Sequence, residues 1–541
     1  MSQQLTISSF YNNKFAQRVL SWIRDTTGLE DSTTATAAGA AAVAAVVLAT
    51  TVAWQHASSS KNKPIPFQGI PTPKGCHPLV GHMLTIGANR VQKCHEWHKE
   101  LGPIFYFKMG VRNVIVIADP IMTHELFVTN GKITSNRAPP TLPHDFNSNG
   151  HIGIASAQPE NKHWSRARKS VLNALGPREL KEASPLLLKE ADEFVDTVAT
   201  GENMDPMARL MRVSLNFILL AIFGVRTTSI EDPIYKQSVL IIKRFMGLTD
   251  FRNIASRFIP VLRILDPFVG LTKKGYLYLE NDCKPFLTEM IERALDSEEP
   301  NMTKALNNEM NGGKKGYYNN MMRVILDMVV AGTDTTAVTL AWGFLQISTK
   351  PVVQKKIQHE LDAFVEKNGR LPYFWERAQV PYLVATQREC MRLRPTTDFG
   401  LIHVTAEDLE WRGTLIPKGT MMMSNMGDTH LDPIKYPNPE EFQPERFLDK
   451  SSETMAASAN RKAEDRDQFN FGWGRRVCVG THLAETQMFN IWVRVLRRCD
   501  VKPALDAAGK EVPLGLDSVP PKSGPLVTGP SPFEIRFVPR T

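Results

Sequence analysis

The chain of 541 residues carries 64 basic and 56 acidic side chains, a formal charge of +8, and 42% of it is hydrophobic. That content supports a large buried core and excludes a disordered chain, while a small charge excess without any aromatic-interleaved basic run excludes a nucleic-acid binder. Cys76, Cys94, Cys283, Cys390, Cys478 and Cys499 stand far apart with no CxxC pair, which excludes a secreted disulfide framework and fits a reducing compartment.

The first 24 residues lack acids and set Lys14, Arg18 and Arg24 around Phe15, Val19, Leu20 and Ile23. A mitochondrial presequence has this pattern, and it competes with residues 1–34 being a short lumenal segment. No charge occurs from Ser32 to Ser60, and residues 35–54 have the length of one transmembrane helix. Lys61, Lys63 and Lys74 follow that helix, whereas Arg24 before it is diluted by Asp25, Glu30 and Asp31. The positive-inside rule then puts the remainder in the cytoplasm. Across 55–75, Pro64, Pro66, Pro71 and Pro73 forbid a continuous helix, predicting a stiff linker that holds the body off the membrane.

Residues 76–541 read as one domain, mainly α with small β-sheets. Pro103–Met109 and Asn113–Ala118 are strand-like. HWSRAR sets Trp164 and Arg168 four apart on a helix face. Ser184–Thr197 is helical in period, with Ser184 as N-cap and Pro185 at the first helical position. A long helix is predicted over Tyr317–Gln346, and another over Val352–Lys367. In the first, AGTDTT (Ala331–Thr336) interrupts the apolar run with Gly332 and three threonines. The Thr335 hydroxyl can take the Ala331 carbonyl one turn back, kinking the helix and opening a groove. An acid such as Asp334 is costly in this setting unless used, and proton delivery is a use.

QRECMRLRP sets Glu389 and Arg392 three apart on a helix ending before Pro395. His403–Met423, with Gly413 and Gly419, predicts a small sheet, and the charged stretch Asp449–Asp467 a surface loop. Phe471–Gly480 reads FGWGRRVCVG and precedes a helix over Thr481–Leu496. Glycines that let amides approach Cys478, two arginines and a helix start all favour its thiolate, so this cysteine reads as reactive or metal-ligating.

The loop matches the haem-loop pattern FxxGxxxCxG of the cytochrome P-450 family at Phe471, Gly474, Cys478 and Gly480. WxxxR, an acid-Thr pair, ExxR and PERF precede it in that family's order, so the chain resembles a eukaryotic, membrane-anchored microsomal member. Val479 and Trp473 depart from the proline and phenylalanine common at those places. The resemblance implies the cytochrome P-450 fold after one N-terminal transmembrane helix, and haem b with Cys478 as axial thiolate. It also implies Phe471 beside the sulfur, and Trp164, Arg168, His403 and Arg476 at the haem propionates. Asp334 and Thr335 would serve oxygen activation, Glu389, Arg392 and Arg446 a buried structural triad, and Phe399, Leu401 and the stretch 136–152 the substrate wall.

The expected function is a haem-thiolate monooxygenase inserting one oxygen atom into a C–H bond of a lipophilic small molecule such as a steroid or fatty acid. No dinucleotide-binding GxGxxG pattern is present. Electrons would therefore come from NADPH through a separate reductase-like flavoprotein, docking near Arg461, Lys462, Arg475 and Arg476. The expected location is the endoplasmic reticulum membrane, with a mitochondrial membrane as the alternative. A haem-thiolate isomerase or dehydratase, and a non-catalytic haem sensor, are the competing functions.

Overall fold

A computed structural model describes residues 65–540 apart from 88, 139–152, 250–256, 260–261, 263–269, 300, 317 and 525. The expected N-terminal segment, the transmembrane helix over 35–54, the first half of the linker and most of the wall stretch 136–152 lie outside the described residues.

Helices dominate: α1 (Arg90–Leu101), α2 (Lys162–Ala174), α3 (Ser184–Val198), α4 (Met207–Phe223), α5 (Pro233–Thr249), α6 (Lys284–Asp296), α7 (Met302–Asn311), α8 (Asn319–Ser348), α9 (Pro351–Asn368), α10 (Pro381–Leu393) and α11 (Thr481–Arg498). Helix α8 is the one helix among the described residues long and apolar enough to cross a membrane, and it is mostly buried. It is the core helix. Its neighbour α4 lies so close that a Cβ on Gly332 would come within 2.3 Å of Ile218 Cδ1. Gly332 thus serves helix packing, and α8 runs on through it without a break. On α11, Trp492 stacks on Phe344 at 5.6 Å and passes 2.7 Å from where a Gly343 Cβ would stand. Each such buried aromatic contributes about 1.5–3 kcal/mol by leaving water.

Among the described residues, twelve short strands form four sheets. The largest has the order β1-β2-β7-β4-β3, built from β1 (Ile104–Met109), β2 (Arg112–Ile117), β3 (Asn136–Arg137), β4 (His403–Val404) and β7 (Met421–Ser424). Its β2–β7 pair is parallel, and β3–β4 sets Arg137 opposite His403. The hairpin of β5 (Leu409–Trp411) and β6 (Thr414–Ile416), the trio of β8 (Cys499–Leu505), β9 (Glu511–Val512) and β12 (Ile535–Pro539), and the pair β10 (Pro521–Ser523) and β11 (Thr528–Pro530) complete the set.

Three local expectations are corrected. The second half of the proline-rich segment is packed on the body rather than standing as a spacer. Phe67 is buried, stacks on Tyr106 at 4.5 Å and donates its amide to Leu415 O. Ser184 is the first residue of α3, not its cap: Ala183 holds helical φ and ψ at the exit of the preceding helix and accepts from Leu186 and Leu187. Finally, Asp449–Asp467 is a surface loop only in part, with Asp449, Asn460, Arg461, Lys462, Glu464 and Asp465 exposed. Ser458, Ala463, Arg466 and Asp467 are buried, because the chain's own groups replace water there. Asp467 pairs with buried Arg388 and accepts from Ser458 Oγ, while Glu485 on α11 accepts from the amides of Met455 and Ala456.

Candidate functional site

The segment 471–480 folds back on itself before entering α11. Cys478 N donates to Phe471 O at 2.9 Å, Val477 N to Gly474 O at 3.0 Å, and Arg476 N to Trp473 O at 3.1 Å. Gly472 and Gly474 take positive φ, and a Gly474 Cβ would stand 2.7 Å from Phe127 O, so glycine is needed there twice over. Arg466 braces the loop from below. Its guanidinium lies 4.2 Å from the Trp473 ring centre, and it donates to Gly472 O at 2.9 Å. Phe471 is half-buried against the main apolar core.

The Cys478 thiol is solvent-accessible yet deep in the fold. That depth pushes its pKa up, while hydrogen bonds from Gly480 and Thr481 and the Arg168 charge pull it down. Helix α2 supplies Arg168, whose Nη2 donates to Val477 O at 2.5 Å, and Trp164, whose indole N–H donates to Ile154 O at 3.0 Å. Arg476 is buried, stacks 4.6 Å from the Trp164 ring, and donates to Ser135 O, Ile154 O and Ala157 O. Burial shields it from solvent, so it is not part of a docking face.

A third cation was not legible in the sequence. Arg137, opposite His403 on the sheet, donates to Ala155 O at 3.1 Å, Leu401 O at 2.8 Å and Ile402 O at 2.9 Å. Burial lowers its pKa, followed by repulsion from Arg476 and Arg168. His403 is buried, stacks on Phe127 at 4.0 Å, and meets Thr134 O through Nδ1 at 3.0 Å. Burial first, then the Arg137 charge, drives its pKa well below the ordinary histidine range, so the ring is neutral. With Nδ1–H donating to Thr134 O, Nε2 is the nitrogen open to a ligand.

Within α8, Thr335 Oγ1 donates to Ala331 O at 2.6 Å, Thr333 Oγ1 to Val329 O at 2.7 Å, and Thr339 Oγ1 to Thr335 O at 2.8 Å. Ala331 is exposed and Asp334 and Thr335 are half-buried, although Val330, Thr333 and Thr336 beside them are buried. The acid-Thr stretch therefore offers accessible surface in the middle of the deepest helix. Burial raises the Asp334 pKa to about 6, opposed by the Lys243 charge on α5.

Glu389 and Arg392 are fully buried on α10 and paired through two bonds of 2.7 and 2.8 Å, with Arg446 Nε 3.5 Å from the same carboxylate. Phe399 packs against the apolar cluster of Phe107, Val404 and Met421, whereas Leu401 is exposed and lends its carbonyl to Arg137.

The donor set fits haem. The thiol is accessible and its hydrogen bonds favour the anion. Among the described residues, Arg137, Arg168 and Arg476 form no ion pair with a carboxylate, although the Glu160 charge acts on Arg476, so three crowded guanidiniums favour a bound anion. Two haem carboxylates are such an anion.

The family model for cytochrome P-450 matches residues 71–524. The chain is 26% identical to cytochrome P-450 monooxygenase 231 of Postia placenta, over 91% of this chain and 92% of that one. It is 27% identical to cytochrome P-450 monooxygenase COX2 of Coprinopsis cinerea, over 87% and 89%. It is 24% identical to 3-hydroxyphenylacetate 6-hydroxylase of Emericella nidulans, again over 87% and 89%.

Proposed function

The chain belongs to the cytochrome P-450 family, an oxidoreductase among fungal monooxygenase relatives, and on that premise we propose that it hydroxylates a lipophilic small molecule at a haem held by Cys478. The observation that carries the proposal is the accessible Cys478 thiol beside three crowded arginines, Arg476 buried and Arg137 and Arg168 half-buried, that form no ion pair with a carboxylate among the described residues. When bound, haem with a thiolate ligand supplies oxygen activation.

The chain's residues would do the rest. Arg137, Arg168 and Arg476 neutralise the propionates, with Trp164 holding Ile154 and stacking under Arg476. His403 can donate from Nε2 only once protonated, so a carboxylate beside it would raise its pKa, and carboxylate binding and proton uptake are linked. Asp334, with its pKa near 6, can hold and release a proton at neutral pH, and Thr335, anchored to Ala331 O, presents its oxygen at a fixed place. Gly480 and Thr481 orient the sulfur through their hydrogen bonds to it, and Gly474 lets the loop lie close against the Phe127 backbone.

An NADPH-dependent flavoprotein would donate electrons. It would dock on the exposed cations Arg475 of the Cys478 loop and Lys162, Arg166 and Lys169 of α2, the helix that Arg168 ties to this loop at Val477 O. Ala331, exposed beside Thr335 on α8, offers an apolar contact for a lipophilic substrate, and residues 35–54 would hold the enzyme at the endoplasmic reticulum membrane. A small aromatic acid is the competing substrate class, because one relative is named for hydroxylating 3-hydroxyphenylacetate.

The test is the carbon monoxide difference spectrum of the reduced full chain, with and without Cys478→Ala. A red-shifted Soret band lost in the variant is the expected result, and a histidine-type band in the wild type overturns the assignment. Titrating a steroid, a fatty acid and 3-hydroxyphenylacetate into the oxidised protein then separates the substrate classes by which one shifts the Soret band.

A further inference from the structure

Two of the site's three guanidiniums, those of Arg137 and Arg476, hang on one short segment, residues 153–157. Ile154 O accepts from Trp164 Nε1 and Arg476 Nη1, Ala155 O from Arg137 Nε, and Ala157 O from Arg476 Nη2. Beyond its end, the Gln158 side chain exchanges two further bonds with the Arg137 backbone, both at 3.0 Å. Carbonyls on a loop place a guanidinium only as well as the loop itself is placed.

The central helix places it. Asp327 on α8, two turns before Asp334 and on the same face, accepts the Ala155 amide at 2.9 Å. The approach is tight: a Cβ on Gly153 would stand 2.3 Å from Asp327 Oδ2 and 2.7 Å from its Cγ. Gly153 has no positive φ, so it is glycine for closeness to this carboxylate and not for a turn. Around Asp327, helix α8 buries Val324, Ile325, Leu326, Met328, Val329 and Val330. A carboxylate in that company is retained at a desolvation cost that accepted hydrogen bonds must offset.

We propose that Asp327 is a positioning residue: by accepting the Ala155 amide it fixes residues 153–157, and through their carbonyls the guanidiniums of Arg137 and Arg476, in the arrangement that retains haem. The inference rests on the haem reading above. It also joins the propionate end of the site to the helix that carries Asp334 and Thr335, so that both are set by one rigid element.

The experiment uses the full-length holoprotein and measures haem transfer to excess apomyoglobin, the carbon monoxide difference spectrum and the thermal melt. Variants are Asp327→Ala, Asp327→Asn and Gly153→Ala. Asp327→Ala and Gly153→Ala should lose haem about 10- to 100-fold faster while the Soret band keeps its thiolate position. Asp327→Asn keeps an oxygen that accepts from Ala155 N, so it should stay within about threefold of wild type. Haem loss from Asp327→Ala within about twofold of wild type overturns the proposal, and so does an Asn variant as leaky as Ala. If Asp327→Ala yields no folded protein, Gly153→Ala decides, and a wild-type rate from it refutes the assignment. A wild type that lacks the thiolate band overturns the haem reading itself, and this inference with it.

Discussion

Replacing Glu389 by alanine tests whether the α10 ion pair is structural. The carboxylate receives Arg392 Nε at 2.7 Å and Nη2 at 2.8 Å, the Gln443 amide at 2.8 Å, and the Arg446 charge at 3.5 Å. Without it, Arg392 keeps only the carbonyls of His430 and Glu441 and the face of Tyr436. Breaking a buried pair costs about 3–5 kcal/mol and losing the amide bond about 1 more, so Glu389→Ala should destabilise by roughly 4–6 kcal/mol. That is a large part of the 5–15 kcal/mol typical of a native fold. Urea unfolding followed by tryptophan fluorescence reads it as a fall in midpoint at unchanged slope. Glu389→Gln keeps one acceptor and should lose about half as much, and Glu389→Ala combined with Arg392→Ala should cost at least about 2 kcal/mol less than the sum of the two. A single Ala variant within about 1 kcal/mol of wild type, or strict additivity, would refute the reasoning. A stable Glu389→Gln protein without turnover would instead make Glu389 catalytic.

Burial raises the Glu485 pKa to about 7. Between pH 4.5 and 7 the folded protein holds a proton that the unfolded chain has released, so wild-type stability falls as pH rises through that window. Glu485→Gln lacks this slope, and its stability relative to wild type should rise by up to about 3 kcal/mol from pH 4.5 to 8, read by urea midpoints at each pH; a constant difference would sink the idea. Asp334→Asn removes the group with pKa near 6 and should lower kcat by about 10²-fold, with a smaller fraction of consumed NADPH appearing as product, whereas equal coupling in wild type and variant would remove Asp334 from proton delivery. Gly474→Ala places a Cβ 2.7 Å from Phe127 O at positive φ and should destabilise by about 1–3 kcal/mol with a weakened Soret band, against which a wild-type spectrum and melt would count.

The parts of the site legible in the sequence are those encoded by local spacing. A separation of three puts Glu389 and Arg392 on one helix face, and a separation of four lets Thr335 reach the Ala331 carbonyl; both contacts need only helix geometry. Arg137 and Asp327 needed more. Their partners are backbone atoms of residues 153–157 and a strand more than 260 positions away, and a carbonyl leaves no mark in the residue alphabet. The stretch 449–467 misleads for a related reason. Charge alone does not say whether the counter-group is water or a distant side chain, and for Asp467 it is Arg388. Gly332 is ambiguous in sequence because glycine marks both a turn and a close approach; the distance to Ile218 settles it as approach, as the distance to Asp327 does for Gly153.

Two clusters of arginine show how one residue type is used for opposite ends. Arg392 and Arg446 meet an acid from their own chain, so their charge is balanced as soon as the polypeptide folds. Arg137, Arg168 and Arg476 are held by carbonyls, which fix direction but carry no net charge, and they repel one another. No carboxylate among the described residues pairs with them, so a bound anion would balance their charge, and folding stability and anion binding are thermodynamically linked: whatever supplies the negative charge stabilises the fold. The same linkage runs through His403, whose proton is taken up only when a carboxylate offsets Arg137 and Arg476. Replacing any one of the three arginines by a neutral residue should therefore weaken haem retention while easing the charge repulsion in the protein without haem. A loss of stability in both states would mean that the arginines act as packing alone.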